Sequence, residues 1–199
     1  MPQLFNNAVL TDKGAKLLVR AQAGEIKLQF TRMATGNGTY TASEKTVQSL
    51  QKATKLKAQK NTYALSSISV YSEHSVKLTA LITNYDPVKE TILVSAGYYI
   101  NEIGIFAKPQ GAADTEEVLY SIAVVAGDTG DFMPPYNGYN PAQIVQDYYA
   151  TVDNSTQVTI KTAGAALLAE DANVIVDDKT KVKYRLGIED GNMYYVEVE

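Results

Sequence analysis

ILVSAGYYINEIGIFA, residues 92–107, is the longest mostly apolar stretch of the chain, and its β-branched and aromatic content favours a β-strand. It is too short to span a bilayer as a helix, which takes about 20 residues. Three of its small and aliphatic residues stand at even-numbered positions before Gly97 (Ile92, Val94, Ala96) and three at odd-numbered positions after it (Ile103, Ile105, Ala107). One extra residue moves side chains to the opposite face, so we expect a bend or bulge at Gly97. The stretch therefore predicts a central strand, or a bent pair of strands.

Two residues inside this stretch are predicted to be critical for the fold. Glu102 is its one charged residue, and if it faces inward it needs a partner, because an unpaired buried carboxylate is costly. Gly104 lies between two isoleucines and leaves room for another backbone or for a packed helix.

The segments before this stretch predict two helices and a strand. Thr11 is a good N-cap for a first helix, and the alternation in residues 26–31 predicts a half-buried strand. Thr41 and Glu44 have the spacing of a capping box, which predicts a second helix over about residues 42–53.

Further strands flank the central stretch. Residues 65–71 and 76–82 predict a hairpin that turns at 72–75, and residues 118–125 predict another strand. Together these elements predict an α+β fold with a mainly antiparallel sheet and two helices near the N-terminus.

The organisation predicted from sequence is one main domain and a small appendage. Residues 1–165 form the α+β domain, which contains a Gly-, Pro- and Tyr-rich loop at 127–141. Residues 170–199 predict a small C-terminal β-hairpin or meander, which is marginal alone and needs a surface to pack against.

Composition excludes several classes of function. A net charge of −4 argues against non-specific nucleic-acid binding, which depends on Lys and Arg. The absence of cysteine excludes disulfides and thiolate metal sites. The first residues carry neither a basic nor an apolar signal region, so we expect synthesis in a cytoplasm, without membrane insertion.

The sequence carries no recognisable set of catalytic residues. His74 is the single histidine, so no convincing Ser–His–Asp triad or histidine metal cluster can form. Two acidic pairs, Asp128 with Asp131 and Asp177 with Asp178, lack the ligand ladder of a calcium loop. We expect no catalytic residues, no metal, no cofactor and no enzyme activity.

Three segments together resemble proteins of phage tails. NNAVLTDKGAKLLVRAQAGEIKLQFTRMATGNG (6–38) resembles the start of the phage tail-collar fibre family, and YYINEIGIFAK (98–108) resembles its "y-x-i-r-E-i-G-l-F-A" segment. Asn101 replaces the usual basic residue of that segment. KYRLGIEDGNMYYVEVE (183–199) resembles a short ending of small tail proteins of phages from Gram-positive hosts.

The resemblance implies a structural protein of a phage or prophage tail, which attaches a tail fibre or receptor-binding element to the baseplate. It implies other tail and baseplate proteins as partners and a homo-oligomer, commonly a trimer. The virion tail or baseplate is then the expected location, after synthesis in the cytoplasm of the bacterial host.

The alternative interpretation is a carbohydrate- or receptor-binding module of the fibre. The chain has 14 tyrosines and no tryptophan, and tyrosine suits surfaces that are both apolar and hydrogen-bonding. The candidate partner or glycan interface comprises four tyrosines: Tyr136, Tyr139, Tyr148 and Tyr149. A tail-associated hydrolase is a third interpretation, for which distant residues would have to assemble a site.

Overall fold

The computed structural model describes residues 4–72, 75–151, 160–162, 174–177, 179–180, 182–189 and 192–198. Its helices are α1 (Asp12–Gln22) and α2 (Val47–Gln51). Its strands are β1 (Val9–Leu10), β2 (Leu28–Gly36), β3 (Gln59–Ser72), β4 (Ser75–Thr83), β5 (Tyr85–Asp86), β6 (Thr91–Ile92), β7 (Tyr98–Ile100), β8 (Glu102–Pro109), β9 (Val118–Val124), β10 (Asp131–Met133), β11 (Gln143–Thr151), β12 (Ile160–Thr162), β13 (Val174–Val176), β14 (Lys183–Glu189) and β15 (Asn192–Val198). Strands dominate and those described pair antiparallel, which confirms a sheet-rich, mainly antiparallel α+β fold.

The chain forms two compact units, Met1–Ala163 and Gly164–Glu199. The first contains an eight-stranded sheet in the order β1-β9-β8-β2-β3-β4-β11-β12, with two-stranded pairs β7–β10 and β5–β6. The second contains a three-stranded meander, β13-β14-β15. Residues 163–169, whose sequence is compatible with a short helix or a linker, lie outside the described residues.

The eight-stranded sheet curls so that its two halves share one core. Tyr148 on β11 hydrogen-bonds through its hydroxyl to Ser121 on β9, although β8, β2, β3 and β4 lie between these strands in the sheet. The same core cluster contains Ile105 from β8 and Leu78 from β4, both fully buried. The inner faces of the two halves therefore pack against each other.

Strand β8 lies at the centre of one half and is buried on both faces. It pairs with β2 on one side and β9 on the other. Ile103 and Ile105 belong to the main core, whereas Phe106 packs in a second cluster with Leu50 and Leu56. Burial on both faces explains why this strand is apolar at nearly every position.

The first part of the central stretch departs from the prediction. Ile92 is in the short strand β6 and is 55% exposed, so it does not belong to a core strand. The chain changes sheets at Asn101, since β7 pairs with β10 while β8 enters the large sheet. The chain bends at Ser95 and Ala96, next to the bend predicted at Gly97, and the backbone then leaves one ladder for another at Asn101.

Helix α1 is capped by Thr11, whose hydroxyl accepts from Gly14 N at 3.0 Å and donates to Leu119 O at 2.5 Å.

The second helix, α2, is shorter than the helix predicted over residues 42–53, and Thr46 is its N-cap. Glu44 does bond back to Thr41 N at 2.8 Å, but it closes a turn there, without starting a helix. In the described part of the chain, neither helix has the length and apolar character needed to span a bilayer.

Candidate functional site

Glu102 is a fully buried carboxylate whose two oxygens accept four hydrogen bonds. Oε1 accepts from the amides of Gly38 at 3.1 Å and Ala58 at 2.7 Å. Oε2 accepts from the Lys57 amide at 2.8 Å and from the Tyr40 hydroxyl. Hydrogen bonds to the charged form compensate for the loss of water around a buried carboxylate. Glu102 thus ties β8 to two loops of the chain.

The GNG loop at 36–38 is shaped by this carboxylate. A Cβ on Gly36 would lie 2.4 Å from Glu102 Oε1, and one on Gly38 would lie 2.7 Å from the same oxygen. Asn101 also holds the loop, because its backbone amide donates to Gly36 O at 2.9 Å. The loop therefore needs glycine for space at both positions.

Burial and hydrogen bonding affect the ionisable side chains around Glu102. The pKa of Tyr40 is raised, first by burial and then by its hydrogen bond to the Glu102 carboxylate. Lys57 Nζ lies 5.2 Å from the centre of the Tyr40 ring and donates to Glu44 Oε1 at 2.8 Å. Because Glu102 is fully buried and both its oxygens are occupied, its role here is to hold loops, and it has no oxygen free to act as a base.

Gly104 is packed by leucine side chains. A Cβ at this position would lie 2.7 Å from Leu119 Cδ1 and 3.0 Å from Leu56 Cδ2. The side chains of Leu119 and Leu56 therefore occupy the space that the sequence predicts for another backbone or for a packed helix. Leucine side chains can shift, so the position restricts side-chain size less sharply than a backbone contact would.

Two ring pairs form what we call the aromatic surface: the exposed Tyr99 and Phe132, and the half-buried Tyr85 and Tyr136. Tyr85 and Tyr136 stack at 4.3 Å between ring centres and 12° between planes. Tyr99 and Phe132 lie 5.1 Å apart and are 48% and 51% exposed. Gly97 lies beside the second pair, since a Cβ there would lie 2.6 Å from the Phe132 ring and 3.0 Å from Pro135.

Asn84 holds the Gly-, Pro- and Tyr-rich loop that carries half of the aromatic surface. It is 1% exposed, and its side chain donates to Pro134 O at 3.2 Å and accepts from Ala142 N at 2.9 Å. Its backbone carbonyl accepts from Val94 N at 3.1 Å, and Val94 O accepts from Tyr136 N at 2.9 Å. This loop is thus fastened to the body at both ends.

The four predicted interface tyrosines do not lie together. Tyr136 is in the aromatic surface, and Tyr139, in the same loop, is 85% exposed. Tyr149 contacts Tyr71 with ring centres 4.5 Å apart. Tyr148 is fully buried and bonded to Ser121, so it belongs to the core and cannot face a partner in the folded chain.

Sequence reasoning missed Asn84, Tyr85, Tyr99 and Phe132. The signal for Tyr99 was present, because in a strand Tyr98 and Ile100 take one face and Tyr99 the other. Asn84 gave no such signal, because its partners are 50 and 58 residues away.

Among the described residues, no group of three or more histidine, aspartate or glutamate side chains is placed to hold a metal ion. His74 and Asp178 lie outside the described residues. Asp177 accepts hydrogen bonds from the backbone amides of Lys179 and Thr180.

No protein-family model, no curated protein and no solved structure matches this chain.

Proposed function

We propose that this chain is a structural protein of a phage or prophage tail, which attaches a tail fibre or receptor-binding element to the baseplate. The assignment to a phage tail rests on the resemblance of three segments to tail proteins: residues 6–38, 98–108 and 183–199. In the folded chain the first two segments meet at Glu102, where the amide of Gly38 donates to its carboxylate. The residues that carry the resemblance are therefore used to build a scaffold.

The observation that supports the proposal is the exposed ring pair Tyr99 and Phe132, together with single exposed apolar side chains on other elements. Val70 is 80% exposed, Tyr139 85% and Tyr195 71%. The ring pair Tyr99 and Phe132 adds a contiguous patch. Contiguous exposed apolar surface marks interaction sites, and aromatic residues are enriched in them. An assembly protein, which is covered by neighbours in the particle, accounts for this surface, and the proposal includes no catalytic step.

The test is to locate the chain in particles released by induction of the strain that carries its gene. We expect the chain to co-sediment with tails, and immunogold label to mark the baseplate end. Deletion of the gene serves as the control and should yield tails without fibres. Recovery of the chain solely in fractions free of particles would contradict the proposal.

A second candidate, carbohydrate binding, is favoured by the aromatic surface. Sugar rings stack on aromatic faces, and the Tyr85–Tyr136 stack with Tyr139 nearby in sequence supplies rings and hydroxyl groups. On a glycan array, Tyr136→Ala and Tyr139→Ala should abolish the signal, whereas Tyr195→Ala in the second unit should retain it. Silence of the wild-type chain on the array would remove this candidate.

A further inference from the structure

The outer part of β3, residues 65–71, is an open sheet edge. Strand β2 pairs with β3 from Gln59 to Ala64, and β4 takes the other side of β3 over its remaining length. No strand in the described part of the chain pairs with the second side of residues 65–71. An open edge presents N–H and C=O groups that can pair with another strand.

The apolar face of the core continues onto this edge. Ile68 lies opposite the fully buried Leu78, and Val70 lies opposite Val76. Residues opposite each other in an antiparallel pair share a face, yet Ile68 is 52% exposed and Val70 is 80% exposed. One further strand beside β3 would cover both side chains.

The edge lacks two of the devices that prevent pairing in natural sheets, namely charged residues and proline. Residues 61–72 contain no charged residue and no proline. Two bulges, between Leu65 and Ser67 and between Val70 and Ser72, limit the regular ladder to residues 67–70. We therefore expect a short contact, whose strength depends on concentration.

We propose that residues 65–71 pair antiparallel with the same segment of a second copy of this chain, about a two-fold axis at Ser69. The sequence favours a second copy of the chain as the partner, because Ile68 and Val70, both β-branched and apolar, stand one residue before and one residue after Ser69. In that register Ile68 of each copy lies opposite Val70 of the other, on one face, and no like charges meet. The pairing is argued from β3 alone and does not depend on a role in phage tails.

The first test is the mass of the full chain by light scattering across a wide range of concentration. We expect a shift from monomer to dimer in the wild type and its loss in Val70→Lys, which places an ammonium group against Ile68 of the other copy. Val88→Lys is the matched control at a valine that is 89% exposed, and it should retain the dimer. Thermal unfolding of both variants verifies that they fold.

The second test uses the absence of cysteine from the chain. At a two-fold axis the two Ser69 Cα atoms would lie about 4.5–5.5 Å apart, a distance that a disulfide can bridge. The Ser69→Cys variant should form a disulfide dimer under mild oxidation, much faster than Ser49→Cys on the exposed side of α2. Equal rates, a monomer at every concentration, or a trimer that Val70→Lys leaves intact would overturn the pairing.

Discussion

The amide of Gly38 donates a 3.1 Å hydrogen bond to the carboxylate of Glu102, 64 residues further along the chain. This contact joins the loop at residues 36–38 to strand β8. The carboxylate of Glu102 is buried, so each donor that lost this acceptor would lower the free energy of unfolding by about 1–3 kcal/mol.

Glu102→Gln is expected to destabilise the first unit by at least about 2 kcal/mol. The amide nitrogen of glutamine would replace one accepting oxygen and leave a backbone amide, such as that of Lys57, without an acceptor. Urea unfolding measures the loss. Glu116→Gln, at an exposed position of the 3-10 turn Asp114–Glu116, is the control and should stay near the wild-type value.

Gly104→Val is expected to lower the free energy of unfolding by about 1–3 kcal/mol, because its branched side chain would displace Leu119 and Leu56. Gly104→Ala should cost less, since leucine methyl groups can move. Gly127→Val is the control, because nothing lies within 4 Å of a Cβ at that position. Wild-type stability of Gly104→Val would show that the leucine packing is loose.

The variant Gly14→Ala is expected to have two opposing effects on stability, one from helix propensity and one from packing. In an isolated helix, alanine is more favourable than glycine by about 1 kcal/mol. Here a Cβ on Gly14 would lie 2.1 Å from the backbone oxygen of Tyr120, which cannot move aside as a side chain can. We expect net destabilisation by about 2 kcal/mol or more. The exposed Lys16→Ala in the same helix should leave the urea midpoint nearly unchanged, and a stabilised Gly14→Ala variant would refute the contact.

Tyr120 and Tyr148 should respond oppositely to replacement by phenylalanine. The hydroxyl of Tyr120 is buried, and the described residues offer it no hydrogen-bond partner, while burial raises its pKa to about 12. Tyr120→Phe is therefore expected to be neutral or stabilising. Tyr148→Phe leaves Ser121 without its partner and should cost about 1 kcal/mol. Equal losses of stability in the two variants, measured by urea unfolding, would contradict this assignment.

Glu44 makes part of the stability dependent on pH. The hydrogen bond from Lys57, followed by those from Thr41, lowers the pKa of Glu44 from its ordinary value of 4.5 to about 2. A lowered pKa in the folded state gives stability that is present above pH 4.5 and is lost as the pH falls towards 2. The urea midpoints of wild type and Glu44→Gln should therefore differ at pH 6 and converge near pH 2.

Salt provides the control for this prediction. Both side chains of the Lys57–Glu44 pair are more than 40% exposed, at 45% and 42%. Added salt should therefore reduce the difference at pH 6, since exposed pairs are screened. A difference that is independent of pH would assign the effect to packing.

The aromatic residues show where sequence reasoning reached its limit. Tyr148 and Tyr149 are adjacent, so strand alternation requires that they face opposite sides. Which of them enters the core depended on the pairing of β11 with β4, which places Tyr148 opposite Leu78. In the same way, sequence marked Glu102 as needing partners, but its donors come from residues 38, 40, 57 and 58.

The sequence by itself determined strand β9, the β3–β4 hairpin and the mainly antiparallel character of the sheet, because alternation and turn residues are local properties of the chain. It did not indicate strand β11. Only the tertiary structure decided the order of strands, the interior position of Tyr148, the hydrogen bonds to Glu102 and the edge of β3 that no described strand covers. These depend on contacts between residues distant in sequence, which form when the curled sheet brings separate segments together, and no local periodicity encodes them.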